Sequence, residues 1–203
     1  MKKNSLAAMA VIAAGSLALV SCSEAPFLGD WESSPAPISN PLPQQATGTA
    51  VTGLTFLKAE DNTAGKTTFS QEYDIKHTTV TAEGMTFDVH VTGTATASGT
   101  WTYDVDDDDD LLLTFDDASV SVDISGTELT YRGDQDSLLV TAAQDSLQRS
   151  LSTEWNRSIE DLFRRDLVRY GVISDIERAR DKNTITFEIE NPEQKIVMRR
   201  IAK

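Results

Sequence analysis

From residue 47 to residue 132, apolar and polar side chains alternate with a period of two. Leu54 and Phe56 share one face of the first run. Phe69, Tyr73 and Ile75 share a face of the second, with Gln71 as the odd polar member. Met85, Phe87, Val89 and Val91 alternate with Thr86, Asp88, His90 and Thr92. Trp101, Tyr103 and Val105 alternate with Thr100, Thr102 and Asp104. Leu111, Leu113 and Phe115 follow, then Val120, Val122 and Ile124, then Leu129 and Tyr131. Such alternation marks strands with one face in a core and the other in water, as in antiparallel sheets. Turn-forming residues punctuate the runs at Asp61-Asn62, Asp116-Asp117, Ser125-Gly126 and the aspartates of 106–110. Seven short strands with close turns predict a meander, closed into a barrel or folded as a sandwich.

Beyond residue 138 the period lengthens. Leu139, Ala143, Leu147, Leu151, Trp155, Ile159, Leu162, Phe163 and Leu167 recur every three or four residues, the stripe of an amphipathic helix over 141–170. Thr141 and Gln144 have capping-box spacing, Gly171 suits the C-cap, and a break is expected near Ser152-Thr153. Asp145 and Arg149, Glu160 and Arg164, and Asp161 and Arg165 stand four apart on the polar side. The stripe either covers one face of the sheet, as helices beside sheets usually do, or plugs a cavity that Trp155, Leu162 and Phe163 would line. Alternation then returns: a strand over 172–180, another through Ile185, Phe187 and Ile189, a turn at Asn191-Pro192, and a return strand over 195–201. The chain is therefore expected to be mainly β, an antiparallel meander with one long α-helix inserted before the last strands.

The N-terminus has a different plan. Lys2 and Lys3 precede a short run of Ala, Leu, Val, Ile, Gly and Ser, the layout of a secretory signal over 1–21. It ends in Leu19-Val20-Ser21-Cys22, which resembles a bacterial lipobox. That resemblance implies cleavage before Cys22, diacylglycerol on its sulfur, and a membrane partner through that lipid. It places the protein in the cell envelope, at the outer membrane, with the side left open. More than one acyl chain gives stable anchoring. Cys22 is the only cysteine, so no disulfide can form and stability must come from a packed core. Residues 22–46 are read as tether and lead-in, kept irregular by Pro35, Pro37, Pro41 and Pro43. The domain proper is expected over 47–203.

Charge and motifs narrow the chemistry. With 18 Lys and Arg against 32 Asp and Glu, the chain carries −14 at neutral pH, a surface that repels nucleic-acid phosphates. Asp106, Asp108 and Asp110 have the spacing of alternate calcium ligands, but Leu111 occupies the position where an EF-hand loop needs Gly. A solvated hairpin turn is the favoured reading. His77 and His90 are the only histidines. His90 shares a strand face with Asp88, yet no second histidine is in register to complete a metal site. Nucleophile elbows and glycine-rich phosphate loops are missing. The sequence is accordingly read as that of a non-enzyme with no metal or cofactor.

Gly29-Asp30-Trp31 resembles the Gly-x-Trp start of lipocalin-like barrels, and Gly99-Thr100-Trp101 repeats the theme in mid-chain. Lipocalin-like lipoproteins of Bacteroides-type bacteria share this layout of meander and late helix. The resemblance implies a closed barrel, Trp31 packed across its closed end, and a small apolar ligand in the interior. The large inward side chains Trp101, Tyr103, Phe115, Trp155 and Phe163 are the candidate lining. One departure is that strands still follow the helix. The alternative is a structural or partner-binding envelope lipoprotein with no ligand.

Overall fold

The computed structural model describes residues 25, 27–38, 42–59, 63–81, 83–103, 110–133, 138–190 and 192–201. Cys22 and residues 106–109 of the aspartate run lie outside them. The described residues form strands β1 (Gly29–Ser33), β2 (Ala36–Pro37), β3 (Thr47–Lys58), β4 (Ala64–Val80), β5 (Thr86–Tyr103), β6 (Leu111–Phe115) and β7 (Ser121–Tyr131). Helix α1 (Leu138–Arg169) follows, then β8 (Val172–Arg178), β9 (Thr184–Ile189) and β10 (Gln194–Arg200).

Eight strands close an antiparallel barrel in the order β1, β10, β9, β8, β6, β5, β4, β3 and back to β1. Closure depends on β1, which pairs Trp31 with Arg200 on one side and with Leu54 on the other. The stretch expected to be an irregular lead-in thus supplies a barrel strand. Its prolines begin only at Pro35, so the five residues of β1 keep every backbone donor that two neighbours require.

The seven expected runs become five strands, because the third and fourth join as β5 and the sixth and seventh as β7. In β7, Ser125-Gly126 runs straight through, and Gly126 stands opposite Thr92 of β5 beside a bulge between Thr92 and Thr94. Glycine here marks a bulge and a close approach of two backbones. The long β5 therefore has two partners on one edge. Its end, Gly99 to Tyr103, pairs with β6 inside the barrel. Its start, Phe87 to Thr96, pairs with β7, which extends the sheet above the barrel.

Helix α1 runs unbroken from Leu138. The hydroxyls of Ser152 and Thr153 bond back to the carbonyls of Gln148 and Arg149, so these residues sit in the helix without interrupting it. Thr141 is the fourth residue of the helix, past the N-cap position. Gln144 instead donates from Nε2 to the Leu129 carbonyl at 3.0 Å, and Gln148 donates to the Thr127 carbonyl at 3.2 Å. Four residues of helix rise about 6 Å and two residues of strand about 6.6 Å, so the spacings match. The helix thereby occupies the open edge of β7, which would otherwise offer unpaired carbonyls to another strand. Of the expected helix ion pairs, Glu160 and Arg164 meet at 2.9 Å, whereas Arg149 bonds the Asp145 carbonyl.

Candidate functional site

The register defines two ends of the barrel. At the closed end, Phe27 crosses beneath the strands and meets Phe56, Trp101 and Tyr103 edge to face at 5.3, 5.1 and 5.4 Å. Trp31 is fully buried there, and its Nε1 donates to the Phe27 carbonyl at 2.5 Å. The Arg200 guanidinium lies over the Trp31 ring at 5.0 Å and donates to the Leu28 carbonyl at 2.7 Å. Gly29 has φ of +128°, and a Cβ there would come within 2.9 Å of Arg200 Nη2. The glycine of the Gly-x-Trp triplet thus makes room for the arginine that covers the tryptophan. Trp101 needs glycine too: its Nε1 reaches the Leu57 carbonyl at 2.9 Å across Gly65, where a Cβ would stand 1.9 Å from that oxygen.

The five candidate lining residues fall into three places. Trp101 and Tyr103 belong to the closed-end cluster. Phe115 and Phe163 both touch Phe69, at 5.7 and 5.3 Å, halfway up the barrel. Trp155 lies higher, against the His77 ring at 5.4 Å. Trp101, Trp155 and Phe163 are 0% exposed, so no water-sized space adjoins them from outside or from within. Helix α1 is the reason: Leu151, Trp155, Ile159, Leu162, Phe163 and Leu167 are all buried. The helix covers the mouth, with Phe163 against Phe69, above an interior filled by the strands' own Trp31, Leu54, Phe69 and Trp101. Grooves of several hundred Å³ open elsewhere, one of about 780 Å³ beside Gly29 and Arg200, and one of about 360 Å³ across the outer face at His90 and Arg132. None of the five lines either groove.

A cluster that the sequence only hinted at lies where the end of α1 enters the barrel mouth. Gln71, the polar exception in its row, is buried. Its Nε2 donates to Asp166 Oδ2 at 2.8 Å and to Thr52 Oγ1 at 3.4 Å, and its Oε1 accepts from the Tyr73 hydroxyl at 2.5 Å. Asp166 Oδ1 accepts from Arg169 at 3.1 Å, and Arg169 Nη2 donates to Gln194 at 2.9 Å. One network therefore ties α1 to β3, β4 and β10 around a cleft of about 120 Å³. That is room for about four waters. Burial, and after it the Asp166 carboxylate, holds the Tyr73 phenol far above the usual phenolic range. The same two causes push Tyr170 up to about 12, against weaker pulls from Thr52 and Arg169. Both phenols stay protonated near neutral pH, and that of Tyr73 donates to Gln71. The arrangement is suited to holding the helix or a small polar molecule. The sequence signal for it was Gln71 alone, since Asp166 and Arg169 read as ordinary polar-side residues of a helix.

The two histidines stand apart. His90 Nε2 is 2.8 Å from Asp74 and its Nδ1 is 3.9 Å from Glu128, while Asp88 is taken by Arg132 at 2.6 Å. Among the described residues no group of three or more His, Cys, Asp or Glu side chains is placed to hold a metal ion. His77 is inward-facing, and neither ring nitrogen has a hydrogen-bond partner among the described residues. No protein-family model matches the chain, and no curated protein matches it.

Proposed function

We propose that this is a lipid-anchored lipoprotein of the cell envelope, held at the outer membrane through Cys22, with lipocalin-like architecture. In this reading the barrel is a filled, rigid body that meets protein partners through its outer surface, and it is not an enzyme. The observation that carries the proposal is the complete burial of Trp31, Phe69 and Trp101 inside the barrel and of Trp155, Ile159 and Phe163 beneath α1, each 0% exposed. Ligand pockets commonly enclose about 300–1,000 Å³, and the cleft at the mouth has about 120 Å³. Gly29 and the buried Trp31 at the closed end support the lipocalin-like part of the reading.

Two measurements test it. Titration of the folded domain with an environment-sensitive fatty-acid probe is expected to give no saturable signal. Crosslinking in intact envelopes at low salt is expected to trap a discrete partner, and recovery of none counts against partner binding. A second reading keeps the small apolar ligand. It is favoured by the polar nature of the bonds, such as Gln71 to Asp166, that hold the helix in the mouth. Such bonds can exchange with water, and a shifted helix would uncover Phe69 and Phe163. Saturable one-to-one probe binding, displaced by unlabelled fatty acid, would replace the first reading with the second.

A further inference from the structure

We infer that the closed end of the barrel lies flat against the bilayer and that the end carrying the start of α1 points away from it. The inference rests on the lipid-anchor reading of Cys22. Ala25 is already buried in the core, three residues after Cys22. Three residues span at most about 11 Å. The acyl chains must therefore enter the membrane close to where Ala25 packs. Leu28 turns back on Ala25 through an amide-to-carbonyl bond of 3.2 Å, and Phe27 is locked between Phe56 and Trp101, so little further slack is available.

The same end gathers the β3–β4 turn, the start of β6 and the β8–β9 turn, which the Arg200 amide joins by bonding the Asn183 carbonyl at 2.8 Å. Its surface presents Leu57 and Ile201, 55% and 45% exposed, next to Arg199 and Lys182. Leu57 and Ile201 are large apolar side chains at the level where interfacial lipid would meet them. The cations Lys58, Lys66, Lys182 and Arg199 stand at this end together with Asp30 and Asp181. Tether length sets the orientation, so it holds at high salt and on uncharged phosphatidylcholine.

The chain has a single cysteine, and lipidation consumes it. Leu57→Cys, Ile201→Cys and Leu139→Cys therefore each give the full lipidated protein one free thiol for an environment-sensitive fluorophore. Leu139 is 70% exposed at the far end. In phosphatidylcholine vesicles carrying headgroup nitroxide, the probes at 57 and 201 are expected to lose fluorescence. The probe at 139 is expected to keep it, and 1 M salt to leave the pattern unchanged. Quenching at 139 equal to that at 57, or no quenching at 57 and 201 in protein that floats with the vesicles, overturns the orientation. Protein that does not float overturns the anchor reading itself, and the orientation falls with it. Circular dichroism of each variant confirms that the barrel is intact before labelling.

Discussion

Gln71 on β4 and Asp166 on α1 meet at 2.8 Å inside the barrel mouth, the central bond of a network that joins the helix to three strands. Removing Asp166 leaves the buried Gln71 amide donor with only the long contact to Thr52 at 3.4 Å, which costs about 1–3 kcal/mol. Asp166→Ala is expected to lower unfolding free energy by that amount, measured by urea denaturation. Because the two share one network, Gln71→Ala together with Asp166→Ala should cost less than the sum of the singles, with a coupling of about 0.5–3 kcal/mol. Additive losses would mean that the pair is not coupled. Hydrogen exchange in the last turns of α1 should rise in either single variant.

Gly29 and Arg200 make a second pair with a graded outcome. Arg200→Lys keeps the charge but not the planar fork that covers Trp31 and reaches the Leu28 carbonyl. It is expected to lose part of the stability that Arg200→Ala loses, the latter about 1.5–3 kcal/mol for a hydrogen bond from a charged group. Gly29→Ala meets both the +128° backbone and the guanidinium at 2.9 Å. It is expected to destabilise in the wild-type background and to do so less once Arg200 is Ala. Thermal midpoints of the wild type and these four variants check the order.

His77 gives the fold a pH dependence with a definite sign. Burial lowers its pKa below the usual 6.5, partly opposed by the Glu154 carboxylate. The unfolded chain therefore binds the proton more readily than the folded one. The stability that comes from keeping this ring neutral is fully present above pH 6.5. It is lost as pH falls from there toward the lower folded pKa. Denaturation midpoints at pH 7.5 and 5.0 should differ in wild type and differ less in His77→Phe. A histidine pKa at or above 6.5 by NMR, assigned to His77, would falsify this.

Gln144 and Gln148 guard the β7 edge, and their loss should show in association more than in stability. Each neutral hydrogen bond contributes about 0.5–1.5 kcal/mol. The double substitution to Ala opens the Leu129 and Thr127 carbonyls to a second chain. Size-exclusion chromatography at rising concentration is expected to show dimers or larger species for the double variant and monomer for wild type.

Much of this fold is legible in the residues. The alternation through Phe87, Val89 and Val91 and the stripe through Leu151, Trp155 and Ile159 place core faces correctly, because both follow from the periods of strand and helix. What period does not carry is height. Trp101, Phe115 and Trp155 all face inward, yet register sets them at three levels, and no local pattern encodes register between strands far apart in sequence. Ser125-Gly126 reads as a turn because glycine punctuates both turns and bulges. β1 was hidden by the prolines after it, since five residues offer too short a run to show alternation. Gln71 was visible as an exception, but its partner Asp166 lies 95 positions on, beyond the reach of any local reading.

Strand β1 has one more consequence. It pairs with β10, so the first strand of the barrel waits for the last. A nascent chain that lacks residues 194–200 holds β1 with one edge bare, and Trp31 without Arg200 over its ring. Contacts this distant in sequence make folding slow. Such a chain stays open until residues 194–200 are free, and the closure that completes the barrel joins β10 to β1.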